Sequence, residues 1–183
     1  MSTARAKTAL VVSDAGRAVG VIASVVAVAR ETEGTRGIRF TGPVAVSTAT
    51  QDHARGVVLP VVDRILAYLQ LAPLGYDLSF VNLGAASSLD LPLSATGLSA
   101  DAPIFLSLLA AALGLAIPQD TVLTGHIASP DGDIVMVQSL PEKLAAARDD
   151  PEIRRFLYPA FDASMRSLTP EGQTRDERTC RQD

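Results

Sequence analysis

The chain has 183 residues, 48% of them hydrophobic and 20% charged, with a formal net charge of −4. That is enough apolar material for one domain with a sizeable core, while the acidic balance leaves no electrostatic footprint for nucleic acid. With no Trp and only three Tyr there are few aromatic platforms for stacking bases.

The single cysteine, Cys180, lies in a polar C-terminal stretch, so no intrachain disulfide forms and a reducing compartment fits. The two histidines, His53 and His126, are far apart in sequence and lack a Cys or His neighbour at ligand spacing. Neither a metal nor a cofactor is therefore expected.

From the N-terminus, TALVV, the stretch Val19 to Val28, GIRF and VAVST read as strands, and the turn-rich ETEGTRG suggests a hairpin between two of them. The uncharged run Ala18 to Ala29, behind Arg5, Lys7 and Arg17, has the outline of a signal-peptide core. It is too short to span a bilayer, Asp14 interrupts the region before it, and its Val and Ile content is that of a buried strand. The expectation is a cytoplasmic protein with no membrane partner.

A helical pattern follows from about Asp52 to Leu71, with Val58, Val61, Val62, Ile65, Leu66 and Leu69 on one face; Pro60 should bend it or mark a late start. YDLSFVNL alternates as a strand does, and GAASSLDLPLSATG reads as a loop. An apolar helix then runs from Ser99 to a stop at Gly114. TVLTGHI and DIVMVQS are two strands joined by the turn ASPDG, followed by the short helix PEKLAAARDD and the strand RRFLYPA. This order makes one α/β (α+β) domain over residues 1–163, with small mixed sheets and packed helices, and a disordered polar tail over 164–183.

Ser99 opens the apolar helix, where a serine commonly serves as N-cap. The capping-box partner is missing, since the residue three places on is Ala102. A catalytic serine needs a base, either a histidine or a lysine whose amine burial has made neutral. Of the 16 basic residues, 14 are Arg, which stays protonated, and two are Lys. Lys7 falls in a segment expected to fray, which leaves Lys143, whose bland reading is a solvated lysine beside Glu142. Ser94 is a rival nucleophile by local appearance.

The segment from Ser99 to Ile127, SADAPIFLSLLAAALGLAIPQDTVLTGHI, resembles the proteolytic domain of Lon-type peptidases, which has Ser-Ala-Gly at a helix start and a later strand ending in Thr-Gly-Glu-Ile. DGDIVMVQSLPEKLAAA resembles the motif around that family's dyad lysine and places Lys143 upon it; the resemblance spans roughly residues 17 to 163. It implies a Ser-Lys dyad of Ser99 and Lys143, supported by Thr124, Ala100 and Asp101, acting on polypeptide substrates. Backbone amides at the start of the Ser99 helix would hold the oxyanion.

The resemblance also implies a homo-oligomer, hexameric in that family. The chain carries no P-loop, so either a separate ATPase feeds it or it cleaves small or unfolded substrates. Against the family pattern, Asp101 replaces Gly, Leu98 replaces Pro, His126 stands for Glu, and Gln138-Ser139 replaces a glycine pair. An anionic Asp101 beside the nucleophile would oppose an oxyanion unless its side chain turns away. The alternative to an enzyme is a non-catalytic scaffold or peptide-binding module.

Overall fold

In a computed structural model, residues 1–14, 17–31, 36–81, 94–95 and 97–159 are described. The expected polar tail, most of the GAASSLDLPLSATG loop and the Ser94 side chain lie outside the described residues. The architecture is mixed α/β, as expected, but its main sheet is one six-stranded layer rather than a set of small sheets.

Two long strands form its centre. β1 (Ser2–Asp14) and β2 (Arg17–Arg30) pair antiparallel along their whole length, from Ser2 opposite Ala29 to Asp14 opposite Arg17. Lys7 is consequently not in a frayed end: it lies within β1, 5% exposed, with its Nζ 3.2 Å from Glu152 Oε2. Val19 to Val28 is the core strand that its composition indicates.

β3 (Gly37–Thr41) does not pair with β2. It runs parallel to β5 (Gly75–Val81), which is inserted between them, so ETEGTRG joins two strands that are not neighbours. On the other side of β1 come β7 (Thr121–Leu123) and β10 (Arg155–Leu157), giving the order β10-β7-β1-β2-β5-β3. Only β2 runs against the other five. Two small pairs complete the strands: β4 (Ala45–Val46) with β6 (Ser94–Ala95), and β8 (His126–Ile127) with β9 (Ile134–Val135), joined by ASPDG.

Side chains alternate across the sheet, so each face has its own helices. On one face Ala23, Val25, Tyr76, Leu78 and Phe80 pack with α2 (Leu59–Tyr68) and α3 (Asp101–Leu113). On the other face Ala9, Val122 and Phe156 pack with α4 (Leu140–Asp149). Ser107, in the middle of α3, donates to the Val25 carbonyl at 3.1 Å and ties that helix to β2. Gly114 closes α3 in the left-handed conformation (φ 66°), which glycine adopts without a Cβ penalty.

The helical run before β5 starts earlier than its apolar pattern indicates. α1 (Thr48–His53) is capped by Ser47, whose Oγ accepts from the Thr50 amide at 3.2 Å. The chain then widens into a π-helical turn, Ala54–Val58, in which the Leu59 amide donates to the Ala54 carbonyl five residues back, before α2 begins. Pro60 has no N–H and crowds the carbonyl four residues earlier, at Gly56; a wider turn there makes room for it. The proline is thus absorbed within a continuous helical run. Among the described residues no helix is long and apolar enough to cross a membrane.

Candidate active site around Ser99 and Lys143

Ser99 is half-buried and immediately precedes the N-cap of α3, which is Ala100, and no side chain caps the helix. The hydroxyl is therefore not spent as an N-cap. Its backbone, in contrast, is firmly held: the Ser99 carbonyl accepts from the Gly125 amide at 3.1 Å and from Thr124 Oγ1 at 3.0 Å. Thr124 follows directly on β7 and is 2% exposed, so the end of a central strand fixes the serine's peptide.

The amides of the first turn are divided between two uses. Asp101 N–H donates to the Leu98 carbonyl at 3.2 Å, Ala102 N–H donates to Gly125 at 3.1 Å, and Pro103 has no N–H. The Ser99 and Ala100 amides have no backbone partner among the described residues. An oxyanion site at this helix start narrows to those two donors.

Lys143 lies one turn into α4. Leu140, Lys143 and Ala147 are its buried positions, spaced three and four apart, so the lysine occupies the stripe that faces the sheet. At 3% exposure it is no solvated surface residue. Burial lowers its amine to about 8, against a smaller opposing pull from Glu142. Among the described residues the amine makes neither an ion pair nor a hydrogen bond, Ser99 Oγ included. The other lysine, Lys7, is ion-paired with Glu152.

The turn that carries Lys143 is held closely. Ser139, at the N-cap of α4, is in the left-handed region at φ 56°, a conformation in which glycine would be free of strain. At Gly20, in β2, a Cβ would run into the Glu142 carbonyl, so helix backbone rests directly on strand backbone.

Asp101 is 0% exposed, and its carboxylate is engaged by the histidines and a backbone amide. Its Oδ2 accepts from His126 Nδ1 at 2.7 Å and from the Ile127 amide at 3.1 Å, and lies 3.1 Å from His53 Nε2, which is hydrogen-bonded to the Ile127 carbonyl at 2.9 Å. Burial raises its carboxyl above the ordinary value, opposed by the His126 hydrogen bond and by His53. The two imidazoles, 73 positions apart in the chain, have ring centroids 5.1 Å apart. Sequence spacing contains no trace of this group, because it is assembled from the end of α1, the start of α3 and β8.

No family model matches the chain, and no curated protein is significantly similar to it.

Proposed function

We propose that the chain is a Lon-like Ser-Lys peptidase acting on unfolded or small polypeptides in the cytoplasm. The observation that carries this reading is Lys143: a lysine 3% exposed, without an ion pair among the described residues, its amine lowered to about 8 in a chain whose other basic residues are almost all arginine. A serine hydroxyl that does not cap the adjacent helix, and a Ser139 backbone in the conformation suited to the glycine of the resembled motif, support it.

Ser99 Oγ would attack the peptide carbonyl carbon while the neutral Lys143 amine accepts the hydroxyl proton. The tetrahedral oxyanion would lie at the Ser99 and Ala100 amides, near the positive end of α3. Collapse breaks the C–N bond, Lys143 returns the proton to the leaving amine, and water, deprotonated by the same lysine, hydrolyses the acyl-serine ester. Thr124 positions the serine through its carbonyl.

The test is casein degradation by Ser99→Ala and Lys143→Arg, each with folding checked by circular dichroism. Both variants should be inactive, because Arg keeps the charge but cannot give up the proton. An active Lys143→Arg variant would end the reading. The second reading, a non-catalytic scaffold, is favoured by the absence of a hydrogen bond between Ser99 Oγ and Lys143 Nζ; a folded wild type that never cleaves casein selects it. Assembly into a ring, or service to a separate ATPase, would appear in sedimentation as a species well above 19.1 kDa.

A further inference from the structure

We infer that His53, Asp101 and His126 form a binding site for a divalent transition-metal ion of the zinc class, next to the start of α3. Two imidazoles and one carboxylate are the donor set that such ions take from proteins, with a remaining position left to water. The donor atoms of the three residues lie within 4.8 Å of one another.

Asp101 supplies the second observation. Although the residue is 0% exposed, Oδ1 has no hydrogen-bond partner among the described residues, while Oδ2 meets His126 Nδ1 and the Ile127 amide and lies 3.1 Å from His53 Nε2. A buried carboxylate oxygen with both lone pairs unspent is costly unless something cationic meets it. His53 Nε2 faces two acceptors, Asp101 Oδ2 at 3.1 Å and the Ile127 carbonyl at 2.9 Å, and one N–H cannot serve both well. An ion among these groups turns both imidazole nitrogens into ligands and gives the carboxylate its counter-charge.

The dimensions are close to those required. Ligands about 2.0–2.1 Å from a tetrahedral ion are roughly 3.3 Å apart, so the observed 2.7 and 3.1 Å separations need to open by about 0.6 and 0.2 Å, with the two imidazole nitrogens, within 4.8 Å of each other, adjusting to the same spacing. The Ile127 amide donates to the same oxygen, Oδ2, a supporting contact that fixes the carboxylate's orientation. Side-chain exposures of 17% for His53 and 24% for His126 leave the solvent side open for an ion and its water.

The test uses metal alone and needs no peptidase activity, so it stands or falls apart from the Ser-Lys reading. For the titration Cys180→Ser would remove the one thiol that would compete, and the protein would carry no affinity tag. Titration with Co2+ should give a tetrahedral visible spectrum at one ion per chain, displaced by Zn2+, with affinity falling at least tenfold in His53→Gln and in His126→Gln.

A second measurement requires no site variant. Only two histidines exist, so their ring-proton signals are the only ones of their kind, and Zn2+ should shift both at the same stoichiometry. Undiminished binding in either Gln variant, a shift of one ring alone, or no binding at micromolar ion would overturn the site and leave a hydrogen-bonded Asp-His cluster.

Discussion

The hydroxyl of Thr124 donates to the carbonyl oxygen of Ser99 at 3.0 Å, joining the end of a central strand to the residue before a helix. Thr124→Val keeps the shape and removes the donor, while the Gly125 amide still holds the carbonyl. We expect a stability loss of about 1 kcal/mol, a lower kcat with KM nearly unchanged, and recovery of both in Thr124→Ser. Urea unfolding and steady-state peptidase kinetics check this. An unchanged kcat would show that the serine's peptide needs no second tether.

Burial of Lys143 makes stability depend on pH in a definite direction. The native amine releases its proton near pH 8, the unfolded one near 10.5. Between those values the unfolded chain binds more protons, so stability should rise with pH across that window and level off above it. Below pH 8 both states are protonated, and the native state bears the full cost of a buried ammonium, on the order of 3 kcal/mol. Lys143→Met should therefore be more stable than wild type at pH 7, with the difference closing by pH 10. A difference that does not vary with pH would place the amine in water.

The same titration shapes activity. If neutral Lys143 is the base, casein cleavage should increase from pH 6 to 9 with a midpoint near 8. A rate flat across that range would assign the rate-limiting step to another group.

Gly20 and Gly56 form a matched pair. A Cβ at Gly20 meets the Glu142 carbonyl and the Ala146 Cβ, whereas nothing lies within 4 Å of one at Gly56. Gly20→Ala should cost about 1–3 kcal/mol and displace the turn bearing Lys143, with activity falling too. Gly56→Ala should be neutral or stabilising by up to about 1 kcal/mol. Thermal unfolding of the two variants distinguishes contact from propensity, and equal melting temperatures would refute the close approach.

Ser139 holds a left-handed backbone at φ 56° at the entrance to the Lys143 helix. Ser139→Gly should raise stability by roughly 1 kcal/mol, since glycine enters that region without the Cβ penalty. A loss of stability would mean that the hydroxyl contributes more than the backbone costs.

What could be read from the sequence was local. Val and Ile content marks Val19 to Val28 as a strand, alternation marks the segment from Tyr76 to Val81, and Gly114 marks a helix stop, because each depends on a few neighbouring residues. Pairing across the chain was not legible. A turn-rich ETEGTRG says nothing about β5 entering between β2 and β3, and Lys7 looked frayed because nothing nearby in sequence discloses Glu152. Ser99 and Lys143 stood out by composition and resemblance, yet the burial of Lys143 depends on which stripe of α4 meets the sheet. His53 and His126 had no signal, since their meeting is a property of three elements packed together.

The wide turn at Ala54–Val58 holds one more residue than regular winding would need, which makes it a setting of angular phase. Wound regularly, that additional residue would turn the preceding segment by about 100° about the helix axis; the wide turn absorbs it instead. His53 ends that preceding segment, one residue before the wide turn. Its direction toward Asp101 thus depends on the widening itself, and winding the same residues regularly would swing it aside even if every side chain at the cluster kept its identity.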